Sequence, residues 1–119
     1  MAGVTIYGIR NCDTMKKARA WLDAHGVACA FHDYRAAGVS EELLRGWMER
    51  VGWETLLNRA GTTFRKLPEA ARQNLDAGGA LALMLAHPSV IRRPVLVCGD
   101  AVIVGFREAD YARLLAGAG

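Results

Sequence analysis

The fold is decided by residues 3–34, which read GVTIYGIRNCDTMKKARAWLDAHGVACAFHDY. β-Branched and aromatic residues between glycines predict a strand over residues 3–8, and apolar residues at three- and four-residue spacing predict a helix over residues 14–25. A second strand is predicted over residues 28–34. Strand, helix and strand in this order form a βαβ unit, which usually pairs its strands in parallel through a right-handed crossover.

The middle of the chain is predicted to be helical. Ser40, followed by two glutamates, marks a helix start, because a hydroxyl can cap free amide groups and the acids suit the positive end of the helix dipole. Asp76 is predicted to cap a later helix, which Pro88 ends. Residues 58–68 mix basic, small and polar residues and are predicted to form a loop or a junction between helices.

The last third of the chain predicts a β-hairpin and a helix. Residues 95–98 and 101–104 are short apolar runs separated by Gly99-Asp100, a two-residue hairpin signal. Residues 108–116 are predicted to form the closing helix. The order βαβ, helices, ββα predicts an α/β fold with a mixed sheet of four strands. The 119 residues, 52 % of them apolar, are expected to form one domain over residues 1–119.

Composition excludes several classes of function. A net charge of +3 and a pI of about 9.0 suit anionic small molecules or acidic partners, but they lack the clustered basicity of a dedicated nucleic-acid binder. The chain has neither a signal-like start nor an apolar run long enough to span a membrane, so we expect a cytoplasmic protein without membrane contact. Three widely spaced cysteines argue against a disulfide scaffold.

Cys12 is the candidate nucleophile. It lies between a predicted strand end and a helix start, where free N–H groups and the helix dipole stabilise a thiolate, and basic residues such as Lys16 add positive charge. A phosphatase-type cradle needs an arginine where Ala18 stands, and a dithiol redox site needs a cysteine where Met15 stands. A resolving thiol must therefore be external or distant.

We expect no metal site among the remaining cysteines and histidines. Cys98 lies in a continuous apolar run and is expected to be buried. Cys29 and His32 have a metal-like spacing, but three residues apart on a strand they point to opposite faces, so joint ligation is not expected.

Three segments carry a resemblance to a known family. Residues 7–18 (YGIRNCDTMKKA), 61–67 (GTTFRKL) and 87–94 (HPSVIRRP) resemble the ArsC family, which includes glutaredoxin-linked arsenate reductases, the Spx transcription regulators and small YffB-like proteins. The resemblance runs over nearly the whole chain. The Asn-Cys-Asp-Thr-x-Lys-Lys opening is most similar to the YffB-like branch.

The resemblance implies a thioredoxin-like fold with a helical insertion, a nucleophilic Cys12 and a cis peptide bond before Pro94. Arsenate reductases of the family bind the oxyanion with three arginines, of which Arg93 and Arg107 match the second and third. The first arginine should stand at Asn58, and Arg59 follows one position later.

The function expected from these residues is a glutathione-dependent thiol-disulfide reductase with a single nucleophilic cysteine. Arg93, Arg65 and Arg107 would hold carboxylates of glutathione or of an anionic or disulfide substrate, since guanidinium forks match carboxylates. Asn11 and Lys16 would support the thiolate. Glutathione acts as co-substrate, glutaredoxin is a second candidate partner, and no bound cofactor is expected.

Two alternatives stay open from the sequence. One is a glutaredoxin-linked arsenate reductase that uses the same thiolate, although Asn58 in place of the first arginine weakens it. The other is a non-catalytic, Spx-like regulator that binds a protein partner. Spx regulators usually carry a second cysteine where Met15 stands, so this interpretation ranks third.

Overall fold

The structure is a computed structural model, and it describes residues 3–10, 12–99 and 101–118. Contacts divide the chain into two compact units. The first comprises Met1–Ala37 and Arg93–Gly119, and the second comprises Gly38–Arg92. The expectation of one domain over residues 1–119 stays a prediction. Within the described residues no helix is both long and apolar enough to cross a membrane.

The secondary structure follows the predicted order of βαβ, helices and ββα. In chain order the elements are β1 (Val4–Gly8), α1 (Asp13–Ala24), β2 (Cys29–Asp33), α2 (Tyr34–Ala37), α3 (Glu41–Val51), α4 (Trp53–Leu56), α5 (Thr62–Arg65), α6 (Glu69–Arg72), α7 (Ala77–Ala86), a 3₁₀ turn (Pro88–Val90), β3 (Val95–Cys98), β4 (Ala101–Val104) and α8 (Glu108–Ala118).

The first unit contains a four-stranded sheet with the order β2-β1-β3-β4. Strand β1 pairs with β2 in parallel and with β3 antiparallel, and β3 pairs with β4 antiparallel. The predicted α/β thioredoxin-like fold with a mixed sheet and a helical insertion is confirmed. Strand β1 lies inside the sheet, so the loop that follows it has strands on both sides.

One face of this sheet packs on α1 and α8. Side chains alternate along a strand, so residues that pair directly across neighbouring strands lie on the same face of the sheet. Val4 pairs with Cys29 on one side and with Cys98 on the other. The core of this face is formed by Ile6, Met15, Ala18, Leu22, Leu96 and Tyr111. Their burial supplies the hydrophobic stabilisation that holds α1, and with it the turn before α1, on the sheet.

The second unit is helical, and both predicted caps are confirmed. The Ser40 hydroxyl accepts a hydrogen bond from the Leu43 N–H (3.1 Å) at the start of α3. The Asp76 carboxylate accepts one from the Gly79 N–H (2.8 Å) at the start of α7. These side chains satisfy N–H groups that a helix start otherwise leaves without partners.

Two local predictions were incomplete. Tyr34 was predicted to end the second strand, but it begins α2, because the Asp33 carboxylate accepts hydrogen bonds from the N–H groups of Arg35 (3.0 Å) and Ala36 (3.2 Å) and starts a helical turn. Residues 58–68 were predicted to be a loop or junction and contain the short helix α5.

Candidate active site

Cys12 is the residue that immediately precedes α1. Strand β1 ends at Gly8, and Cys12 adopts an extended backbone (φ −91°, ψ 131°) in the N-cap position. Its carbonyl already accepts the first helical hydrogen bond, from the Lys16 N–H (3.0 Å). The half-buried thiol therefore lies at the positive end of a twelve-residue helix, as the sequence predicted.

Gly8 lets this turn pack closely. A Cβ built on Gly8 would overlap the sulfur of Met15, which is almost completely buried. The Met15 side chain of α1 therefore packs directly on the backbone at the end of β1. Only glycine leaves room for this contact.

The environment of the Cys12 thiol favours its ionised form. Burial acts to raise the pKa of Cys12, but the sum of the other interactions lowers it. Cys12 makes no regular side-chain capping hydrogen bond, yet the N–H groups of Met15 and Thr14 lie close enough to lower its pKa. Arg93 lowers the pKa further through a hydrogen bond to the sulfur and through its charge. A thiolate, the reactive form of cysteine, is stabilised here.

Arg93 reaches the thiol from the chain segment next to β3. The Arg93-Pro94 peptide bond is cis, which confirms the prediction from the family resemblance. Pro94 is buried, and its carbonyl accepts a hydrogen bond from the Gly105 N–H (2.8 Å). The start of β3 is thereby fixed to the end of the β3-β4 hairpin.

Tyr34 is a site residue that the sequence analysis missed. Its side chain is fully buried, and burial raises its pKa strongly although Arg93, by charge and by a hydrogen bond, acts to lower it. The hydroxyl is therefore neutral and accepts a hydrogen bond from the Arg93 guanidinium. A signal was present in Asp33-Tyr34 at the carboxyl end of the second parallel strand, the sheet edge where Cys12 also lies.

Asp33 organises the same edge. Its carboxylate accepts hydrogen bonds from the N–H of Arg10 (3.4 Å) in the loop before Cys12 and from two N–H groups at the start of α2. Burial acts against ionisation, but these donors and the charge of Arg10 lower the pKa of Asp33. Asp33 thus joins the Cys12 loop to the turn that carries Tyr34.

The other predicted site residues are placed as follows. Lys16 is exposed on α1, and Arg107 is exposed just before α8. In the helical unit, Arg59 lies over the Trp53 ring (5.2 Å from guanidinium carbon to centroid), and Arg65 is the exposed last residue of α5. Asn11 lies outside the described residues. The structure brings Arg93 to Cys12, and the roles of the other residues stay predictions.

Asn58, which occupies the position of the family's first arginine, has a structural role in the helical unit. Its N–H donates to the Val90 carbonyl (2.8 Å), next to an isolated β-bridge between Leu57 and Ile91. Its side-chain amide lies against Gly61, where a Cβ would approach the amide nitrogen to 2.9 Å.

The other two cysteines lie at the opposite end of the sheet from Cys12. Cys29 and Cys98 both pair with Val4, whereas Cys12 follows Gly8, about 13 Å farther along β1 at roughly 3.3 Å per residue. Cys29 and Cys98 are about 10 Å apart across β1, and disulfides need Cα atoms within about 7 Å. In this fold none of the three cysteines can bridge to another.

Cys29 and His32 cannot both bind the same metal ion. Cys29 belongs to the face that packs on α1, while His32 lies on the other face, where its ring is 5.2 Å from that of Tyr7. Cys98 is buried, as predicted. Burial raises the pKa of Cys29 despite the opposing charge of Arg19, whereas the pKa of Cys12 is lowered.

Comparison with known proteins defines the class of this fold and site. The sequence pattern of the ArsC family matches residues 7–114, and the chain belongs to the ArsC family.

Among solved structures, the protein titled YFFB (PA3664) is 57 % identical, with a TM-score of 0.90 over 92 % of this chain and 96 % of that one. An arsenate reductase (ArsC) related protein from Brucella melitensis is 56 % identical, with a TM-score of 0.75 over 95 % of this chain and 94 % of that one. The global transcriptional regulator Spx of Streptococcus mutans is 29 % identical over 94 % of this chain and 82 % of its own length.

Proposed function

We propose that this protein is a cytoplasmic glutathione-dependent thiol-disulfide reductase with Cys12 as its only nucleophile. The observation that carries the proposal is the contact of Arg93 with a thiol at a helix N-terminus, which lowers the pKa of Cys12. A thiolate at neutral pH is what disulfide exchange requires, since the thiolate and not the thiol attacks.

The reaction proceeds in three exchanges, and Cys12 takes part in the first two. The Cys12 thiolate attacks one sulfur of a substrate disulfide, forms a mixed disulfide and releases the other half as a thiolate, which takes a proton from water. A glutathione thiolate then attacks the substrate sulfur of the mixed disulfide, and Cys12 leaves as a thiolate. This leaves a mixed disulfide between glutathione and the substrate half, and a second glutathione thiolate attacks its glutathione sulfur, which releases the substrate thiolate and forms oxidised glutathione. Each step breaks one S–S bond and makes one, Cys12 is regenerated, and two glutathione molecules supply the two electrons.

The placement of the other cysteines supports an external resolving thiol. Cys29 and Cys98 lie at the far end of the sheet, and Met15 occupies the position of a second active-site cysteine. Without a thiol within reach, the mixed disulfide persists until a small thiol or a partner such as glutaredoxin attacks it. Glutathione fits this role by size and by its two carboxylates.

Arg93, Arg65 and Arg107 are the proposed carboxylate ligands of glutathione. Arg93 has the strongest support, because it contacts Cys12 and is held by Tyr34. Asn11 and Lys16 are proposed to support the thiolate, and Arg59 is a further candidate for an anionic substrate.

Two other functions compete with this proposal. Arsenate reduction at the same thiolate is suggested by the name of the family, and the Spx relative favours a regulator that binds a protein partner. A regulator that only binds a partner does not need a cysteine with a lowered pKa. The lowered pKa of Cys12 therefore favours an enzyme.

The decisive experiment measures glutathione at Cys12. Incubation with oxidised glutathione should form a mixed disulfide at Cys12, seen as the mass of one glutathionyl group in peptide mapping, and reduced glutathione should remove it. Arg93→Ala should weaken glutathione binding to the Cys12→Ser protein by roughly 1.5 to 3 kcal/mol. Arg45→Ala, which removes an exposed arginine of α3, is the control. A mixed disulfide at Cys29 instead of Cys12 would refute the assignment.

A further inference from the structure

A groove between α1 and β2 has no role in the reaction as described so far. It has a volume of about 610 Å³, and its lining residues in the described part of the chain all belong to the first unit. Ile9, Met15 and Phe31 line it with apolar surface, and Arg10, Lys16 and Arg19 add three cations. Sites for small molecules have volumes of about 300 to 1,000 Å³ and combine an apolar lining with a few charged groups.

The charge of the groove is mostly positive. Asp23 is the carboxylate among its lining residues, and it lies one helical turn beyond Arg19, away from Cys12. The neighbouring carboxylate of Asp33 already accepts three backbone hydrogen bonds. The end of the groove nearest Cys12 therefore favours a ligand with negative charge.

Arg19 is held in the groove by an aromatic ring. Its guanidinium carbon lies 4.8 Å from the centroid of Phe31, within the range of a cation–π contact. A contact with one ring takes up few of the five N–H donors that a guanidinium carries. An ordered guanidinium loses less conformational freedom on binding a carboxylate than a mobile one does.

The groove begins at the turn that carries the thiol. Met15, whose N–H lowers the pKa of Cys12, and Lys16, whose N–H donates to the Cys12 carbonyl, both line it. It lies on the β2 side of β1, whereas Arg93 comes from the β3 side. A disulfide attacked by Cys12 has two halves, and cations are present on both sides of the thiol.

We propose that this groove is a second anion subsite, which binds the carboxylate-bearing half of a small disulfide while Cys12 attacks it. Arg10, Lys16 and Arg19 hold the carboxylates, and the apolar part of the ligand packs on Phe31. The assignment of the ligand as a substrate rests on the proposed function, whereas the binding of an anion here does not.

The test uses S-methylglutathione, an unreactive thioether with two carboxylates, and the Cys12→Ser protein. We expect Arg19→Gln to weaken binding of the probe by about fivefold, as for the loss of one partly exposed charged contact. Arg45→Gln changes the net charge equally on α3 and should leave the affinity unchanged. Equal affinities for the two variants would overturn the proposal.

Cys29 reports where the probe binds, because it lines the groove. Saturating probe should slow alkylation of Cys29 in the Cys12→Ser protein at least severalfold and leave the buried Cys98 unaffected. If the probe does not protect Cys29 and only Arg93→Gln weakens its binding, the ligand lies on the β3 side. That result would refute the subsite but not the proposed function. Protection of Cys29 without glutathione turnover by the wild type would support the subsite and refute the proposed function.

Discussion

Arg93 donates a hydrogen bond to the hydroxyl of Tyr34, a side chain that is fully buried. The same guanidinium hydrogen-bonds to the Cys12 sulfur. A flexible arginine is thus held against the thiol by a tyrosine that packing fixes in place. A charged group that its neighbours hold in position stabilises a reacting group more effectively than a mobile one does.

We expect Tyr34→Phe to lower glutathione turnover and to move its pH profile upward, because Arg93 loses the acceptor that holds it near the thiolate. The cost in the free energy of unfolding should be about 1 kcal/mol, that of one hydrogen bond. Tyr111→Phe is the matched control, since within the described residues its buried hydroxyl has no hydrogen-bond partner. It should leave turnover unchanged and should not lower the free energy of unfolding, because it removes a buried hydroxyl that lacks a partner. Equal effects of the two substitutions would argue against a positioning role for Tyr34.

Removal of the cation should make Cys12 a weaker acid. The pKa of Cys12 is lowered in the wild type, so its alkylation by iodoacetamide should become fast at a lower pH than for a free cysteine. Arg93→Gln should move this profile to higher pH, because the hydrogen bond and the positive charge that lower the pKa of Cys12 are lost. Mass mapping at neutral pH checks that Cys12 is labelled first, and faster labelling of Cys29 or Cys98 would contradict the assignment.

Gly8→Ala should destabilise the protein and disturb the helix start, because the added methyl group meets the Met15 sulfur. Overpacking of this kind costs about 1 to 3 kcal/mol. Gly46→Ala is the control, since its Cβ meets nothing within 4 Å inside α3 and should stabilise the helix by roughly 0.5 to 1 kcal/mol. Chemical denaturation measures both, and shortening Met15 to Ala should relieve part of the strain in Gly8→Ala.

Arsenate turnover should be weak even with glutathione and glutaredoxin present, because Asn58 provides no positive charge where the family has its first arginine. Loss of one such group typically costs about a hundredfold or more in rate. Asn58→Arg should raise steady-state turnover, and Arg59→Ala should change it little, since Arg59 stands one position away from the place of the first arginine. Efficient turnover by the wild type that Arg59→Ala abolishes would promote arsenate reduction to the leading function.

The sheet and the position of Cys12 before a helix were predictable because both depend on local patterns. Alternating β-branched residues, the glycine at the end of β1 and the cysteine before a helix are visible in a short window of sequence. Tyr34 and α2 were not predicted, because tyrosine favours strands and only the fold shows that the Asp33 carboxylate ends β2. Tertiary contacts likewise decide which arginine meets the thiol: the sequence offered several, and Arg93 is the one that the structure places against Cys12.

The pairing of β1 with β3 joins the beginning of the chain to a segment near its end, and the residues of the helical unit separate the two strands in the sequence. During synthesis, Cys12 leaves the ribosome long before Arg93 exists, and closing so long a loop is among the slower events of folding. Nascent or truncated chains therefore carry a thiol without its guanidinium partner. The part of the lowered pKa of Cys12 that Arg93 supplies is acquired only when β3 is in place, so slower thiol labelling of stalled chains than of the complete chain would report completion of the fold.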